Sequence, residues 1–180
     1  MSVRELLIGC GNKREKEIAL TESQREWHNL TTLDMYPECN PDVVHDLETL
    51  PYPFEDNSFD EIHAYEVLEH TGRQGDWRFF FAQWDEFYRI LKPDGQFYGT
   101  SPLWASPWAW GDPGHTRIIG AEQLYFLSRA NYSEVGVTPM TDYRPHFKCD
   151  FEPIAIQPMG NEPRPTRLLY VLKAVKSGRD

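Results

Sequence analysis

Cysteine is scarce in this chain of 180 residues: Cys10, Cys39 and Cys149 are odd in number and widely spaced. Neither a disulfide framework nor a Cys-x-x-Cys zinc site fits that spacing, and buried reduced thiols are expected. Long apolar runs are missing as well, and none approaches the roughly 20 residues that a membrane helix needs. The charged, apolar and small-residue zones of a signal peptide do not precede the first apolar run, so a soluble, cytoplasmic protein is expected. Basic residues fall short of acidic ones, 18 against 28, and the net charge of -10 repels phosphate backbones. A DNA partner is disfavoured, although Arg144, His146, Lys148, Arg164 and Arg167 leave room for a basic patch in the less acidic C-terminal part. What is present in quantity is hydrophobic (40%) and aromatic (14%) side chain, enough for a real core in a single domain over residues 1–180.

The apolar run Leu6-Leu7-Ile8 stops at Gly9-Cys10-Gly11, as a buried strand does when it delivers a glycine turn. Thr31 to Asp34 reads as a second strand ending in a carboxylate, Val43-Val44 as a short third, and Phe59 to Tyr65 and Gln96 to Thr100 as two more. Trp77, Phe80, Phe81, Trp84, Phe87, Tyr88 and Leu91 recur at spacings of three and four. That spacing predicts a helix from about Asp76 to Leu91, ended by Pro93-Asp94-Gly95, whose aromatics are structural because they share one face. Trp104 to Gly114 is expected to be a long loop, Ala121 to Arg129 a short helix, and Ile154 to Ile156 and Leu168 to Val175 late strands. Strands alternating with helices argue for an α/β fold with a mostly parallel sheet and an antiparallel C-terminal strand. In such sheets ligands bind beyond the carboxyl ends of the strands.

Glycines after a buried strand let the backbone approach a ligand where a Cβ would collide, and a carboxylate ending the next strand accepts from ribose hydroxyls. Gly9, Gly11 and Asp34 have that arrangement. The third glycine of a dinucleotide fingerprint is absent, Arg14 standing in its place, so an oxidoreductase is disfavoured. The segments "LLIGCGN", "TTLDM", "HDLETLPYPFEDNSFDEIHAYEVLEH" and "ILKPDGQFYGTSP", in that order, resemble the core of class I S-adenosylmethionine-dependent methyltransferases over Leu6 to Gly99. The resemblance implies a Rossmann-like, doubly wound sheet and S-adenosylmethionine as cofactor. It places Gly9 and Gly11, with Cys10 between them, at the methionine portion. Asp34 and the adjoining Met35 fall at the ribose, Asp46 and Leu47 at the adenine, and Glu66 and Val67 along the cleft. A capped turn at Asp46 and a solvated helix start at Glu66 are the plainer alternatives. Leu7 stands where the family often has an acid, and Lys13 where it has a small residue, which leaves contacts to the methionine amino group unassigned. Between Asp34 and Val43 there is no room for the usual helix, so a trimmed sheet edge is expected.

Acceptor recognition is expected from "PLWASPWAWGDPGHTR", which follows the fifth strand. Trp104, Trp108 and Trp110 either wall a pocket for a flat or sugar-like acceptor or pack the loop onto the body or a homodimer partner. Asp112, His115 and Arg117 supply polar contacts, and an imidazole at His115 suits a catalytic base, with Asp112 beside it. The alternative for His115 is a hydrogen bond within the loop. In "EVLEH", Glu66, Glu69 and His70 share one face if a helix begins there. This resembles the acidic and histidine motif of ubiquinone-pathway O-methyltransferases and small-RNA 2′-O-methyltransferases, with His115 as a fourth metal ligand. The same letters occur as plain structure in metal-free relatives, so no metal is assigned and His70 is read as an acceptor contact. The expected activity is methyl transfer to a small-molecule or sugar-containing acceptor, preferably at oxygen. An RNA acceptor and a cofactor-binding module without transferase activity are the alternatives.

Overall fold

The computed structural model describes residues 3–160 and 165–176. Arg164 of the expected basic patch lies outside them. The strands are β1 (Glu5–Ile8), β2 (Leu30–Asp34), β3 (Val43–Val44), β4 (Phe59–Tyr65), β5 (Leu91–Pro102), β6 (Phe151–Met159) and β7 (Arg167–Ala174). They form one sheet in the order β3-β2-β1-β4-β5-β7-β6. The first five run parallel, and β7 pairs antiparallel with both β5 and β6. This is the Rossmann-like, mostly parallel sheet expected, with its carboxyl ends opening on one rim.

One face carries the apolar core. Leu6 and Ile8 of β1, Ile62 and Ala64 of β4, and Phe97 of β5 point to the helix α1 (Trp77–Ile90), which buries Phe81, Trp84, Phe87 and Ile90 against them. Asp76 caps α1 by accepting from the Phe79 amide at 3.1 Å, satisfying one of the free N–H groups of the first turn. The chain passes straight from α1 into β5 at Leu91, and Pro93-Asp94-Gly95 makes an irregularity inside that strand, with Asp94 at φ 60°. The expected helix stop therefore sits in β5.

The other face is covered without an α-helix. Between β1 and β2 the segment 11–29 contains only a single 3-10 turn, Glu22–Gln24. It is anchored by Lys16, whose Nζ lies 2.5 Å from Glu5 and 2.7 Å from Glu61 on the sheet. His63 lies 3.0 Å from Glu61, stacks on Tyr98 with ring centroids 4.6 Å apart, and meets the edge of Trp27. A buried charge is tolerable only when paired, and the acids of β1 and β4 find their cation in this coil.

The tryptophan segment is not all loop. Pro107–Gly111 forms a short helix, α2, because Ser106 caps it by accepting from the Trp108 amide at 3.3 Å and Pro107 fits the first turn. The later helix, α3, runs only over Ala121–Tyr125, followed by a 3-10 segment at Arg129–Glu134. The basic residues of the C-terminal part do not gather. Arg144 pairs with Asp142 at 2.7 Å and Arg167 with Glu17 at 2.6 Å.

Candidate active site

A cleft of about 750 Å³ opens at the carboxyl ends of β1, β2 and β4. Gly9 and Gly11 form its floor in left-handed conformations, φ 59° and 49°. At Gly9 a Cβ would sit 2.5 Å from Val67, so the strand end and the turn after β4 touch backbone to side chain only because that residue is glycine. Asp34 closes the next side. Its Oδ2 accepts from the Gly11 amide at 2.8 Å and its Oδ1 from the Tyr36 amide at 2.9 Å, and each oxygen keeps a further lone pair at the lining of the cleft. Arg14 ties the glycine turn across to the 3-10 turn Pro37–Cys39, donating to the Gly11 carbonyl at 2.6 Å and the Cys39 carbonyl at 2.7 Å. The arginine that displaces a third glycine thus acts as a strut.

Met35, Asp46, Leu47, Glu66 and Val67 also line the cleft. Asp46 caps its own turn as well, accepting from the Glu48 amide at 2.9 Å. Cys10 is outside the lining of this cleft and borders a smaller, adjoining cavity at the glycine turn. Glu66 is no helix start. At φ 55° it reverses the chain, and only a 3-10 turn, Leu68–His70, follows. Its amide donates to the Thr100 carbonyl at 3.0 Å, while Oε1 is buried without a partner and burial raises its pKa.

The reversal separates Glu66 from the group that a continuous helix would have assembled. Glu69, His70 and His115 come together instead, each offering a ligand atom within 4.8 Å of the others. Glu69 is 2% exposed, both of its oxygens lack partners, and burial pushes its pKa up to about 8. His70 Nδ1 lies 3.1 Å from the Gly114 carbonyl. Because a carbonyl only accepts, Nδ1 carries the proton and Nε2 keeps its lone pair. His115 lies edge-on to His70 with ring centroids 4.6 Å apart. Its Nε2 is 3.9 Å from Asp112 and its Nδ1 is buried without a partner. An orphaned carboxylate between two imidazoles is a donor set that fits a divalent cation.

His70, Gly114 and Thr116 line the cleft, so the segment after α2 does reach it. The tryptophans do not. Trp104, Trp108 and Trp110 are 64%, 68% and 72% exposed, outside the lining of the cleft, with Trp110 Nε1 donating to the Trp104 carbonyl at 3.1 Å. Arg117 is turned inward. It is 5% exposed and donates to the Leu68 carbonyl at 2.9 Å, Thr71 Oγ1 at 2.9 Å and Gln83 Oε1 at 2.5 Å. It braces the 3-10 turn that carries Glu69 and His70. Sequence reasoning did not anticipate Tyr36, Thr71, Gly72 and Arg73 in the lining, and only the position of Gly72, just past a motif, hinted at a turn there.

A family model described as "Methyltransferase domain" matches residues 6–99, the span that holds the glycine turn, Asp34, Asp46 and Glu66. No curated protein matches the chain by sequence. Among solved structures, a SAM-dependent methyltransferase from Archaeoglobus fulgidus is 16% identical with a TM-score of 0.57, the match covering 95% of this chain and 86% of that one. One from Methanosarcina mazei is 17% identical, TM-score 0.57, over 97% and 93%. The N-methyltransferase NodS from Bradyrhizobium japonicum, in complex with S-adenosyl-L-homocysteine, is 16% identical, TM-score 0.57, over 97% and 79%. At such identities the structural likeness establishes the fold, while the family model establishes kinship: the chain belongs to the methyltransferase-domain family, as an S-adenosylmethionine-dependent methyltransferase.

Proposed function

We propose that the chain transfers the methyl group of S-adenosylmethionine to a hydroxyl of a small-molecule or sugar-containing acceptor. The observation that carries this reading is the His70–His115 pair, 4.6 Å between ring centroids, beside the wall of the cleft that Gly114 and Thr116 form. Transfer is an in-line displacement in which the acceptor oxygen attacks the sulfonium-bound methyl carbon, the carbon–sulfur bond breaks, and S-adenosylhomocysteine leaves. Alignment and exclusion of water supply most of the acceleration. A hydroxyl also has to lose its proton, which an amine attacking through its lone pair loses only afterwards. His115 takes the hydroxyl proton as base at Nδ1, which has no partner, Asp112, 3.9 Å from its Nε2, steadies the resulting imidazolium, and His70 on the cleft wall contacts the acceptor. A divalent cation held by Glu69, His70 and His115 would supply Lewis-acid polarisation of the acceptor oxygen in place of the imidazole base, because a ligating nitrogen has no lone pair left for a proton. Free Cys10, Cys39 and Cys149 suit a reducing, cytoplasmic setting.

The test is a screen with methyl-labelled S-adenosylmethionine against hydroxylated, amine and sugar-containing compounds and short RNAs, the labelled atom being located by NMR. An O-methyl product that is lost in His115→Ala, with cofactor affinity retained, supports the reading. An N-methyl product sinks the choice of oxygen. Tight cofactor binding without turnover on any acceptor favours a non-catalytic module.

A further inference from the structure

We infer that the amino-acid arm of S-adenosylmethionine is held by the coil that follows the glycine turn, in an adjoining cavity where Lys13 takes its carboxylate and Glu17 its ammonium. The inference rests on the cofactor reading above and deepens it. A cavity of about 350 Å³ adjoins the cleft at the glycine turn, lined among others by Leu7, Lys13, Glu17 and Tyr65. Gly9 and Gly11 line both spaces. The two therefore border each other at residues that carry no side chain, and at Gly11 even an added Cβ would meet nothing within 4 Å. With the nucleoside on the Asp34 side, the thioether arm leaves the ribose at Gly9, and the next open volume is this cavity.

The arm ends in an α-amino acid, a carboxylate and an ammonium on one carbon, and it needs a partner of each sign. The strand supplies neither, since Leu7 is the side chain of β1 that reaches the cavity. The coil supplies both. Lys13 is exposed and enters no ion pair among the described residues. Glu17, which lines the cavity, is steadied by Arg167 of β7 at 2.6 Å. The absence of an α-helix over residues 12–29 is what exposes these side chains, because a helix packed on β1 and β4 would fill the volume with its own apolar stripe. The coil leaves the space open and rims it with charge.

Calorimetry separates the arm from the nucleoside. S-adenosylhomocysteine carries the amino acid, whereas 5′-methylthioadenosine has the same nucleoside and thioether without it. For the wild-type chain, S-adenosylhomocysteine is expected to bind more than tenfold tighter. In Lys13→Ala and in Glu17→Gln its affinity is expected to fall about tenfold, the worth of one charge-assisted hydrogen bond, while 5′-methylthioadenosine stays within about twofold, being blind to both residues. Equal weakening of both ligands, or unchanged S-adenosylhomocysteine affinity in both variants, overturns the inference and leaves the cofactor reading standing. Binding of neither ligand to the wild-type chain overturns the cofactor reading and this inference with it.

Discussion

Asp34 and Gly11 are joined by a hydrogen bond of 2.8 Å in which the Gly11 amide donates to the carboxylate. The residue expected to grip the ribose is thus also the one that shapes the turn beneath it. Asp34→Ala is expected to weaken S-adenosylhomocysteine by more than tenfold, losing charge-assisted hydrogen bonds worth about 1.5 to 3 kcal/mol each. It should lower the melting temperature too, since the Gly11 and Tyr36 amides lose their acceptor. Asp34→Asn keeps one acceptor oxygen and should fall between the two. Unchanged affinity in folded Asp34→Ala would contradict the ribose assignment.

The two glycines of the turn are expected to respond differently to the same substitution. Gly9→Ala places a methyl 2.5 Å from Val67, so the turn after β4 has to move and cofactor affinity should collapse. Gly11→Ala meets open space and costs only the left-handed backbone, roughly 1 to 2 kcal/mol, with a smaller loss of affinity. Chemical denaturation and calorimetry on both variants check the order.

Trp84 is a packing residue. It is fully buried in the face of α1 that meets Phe87, Phe97 and Phe151, and Trp84→Ala should cost about 3 to 5 kcal/mol of stability. A variant with wild-type stability that has lost only acceptor binding would place this aromatic stripe in the site instead.

The polar network on the other face predicts how the fold responds to acid. Burial holds the His63 pKa below its usual value. Glu61, despite its burial, is held down to about 2 by hydrogen bonds from His63 and Lys16. Both groups bind fewer protons folded than unfolded, so stability rises with pH and is lost as the pH is lowered. The loss starts as pH drops below the ordinary histidine range and deepens between about 4.5 and 2, where the unfolded chain protonates Glu61 and the folded one resists. Lys16→Met leaves two buried carboxylates without their cation and should destabilise by about 3 to 5 kcal/mol at neutral pH. Its deficit should shrink as acid neutralises them. Denaturation midpoints from pH 3 to 7.5 for both chains give the readout, and parallel curves would refute the network's role.

Elements written in local periodicity were legible in the chain. Leu6-Leu7-Ile8, Thr31 to Asp34, Phe59 to Tyr65 and the three-and-four spacing from Trp77 to Leu91 announce their conformations, because each signal lies within its own element. What was not legible depends on partners distant in sequence or on a single backbone angle. Glu5 in a strand reads as a solvent-facing residue until Lys16 and the His28 amide are found on it. Arg117 reads as a rim contact until Leu68, Thr71 and Gln83 draw it inward. A helical face for Glu66, Glu69 and His70 assumed a chain that continued straight, and the positive φ at Glu66 turns it. The helix α2 did carry a local signal, Ser106-Pro107 at its start, hidden within a segment rich in loop residues.

The coil 11–29, pinned on the sheet by Lys16 and Trp27 and on the 3-10 turn Pro37–Cys39 by Arg14, has a further consequence for how the molecule breathes. A cover held by a few polar anchors opens as its own cooperative unit, at a lower free energy than α1, whose release requires exposing the apolar core. The two faces of one sheet should therefore exchange their amide hydrogens on separate timescales. The glycine turn begins the weaker unit, so an occupied cofactor cleft slows exchange there by mass action. Occupancy of the rim is then written into the protection of a layer on the far side of the sheet from α1.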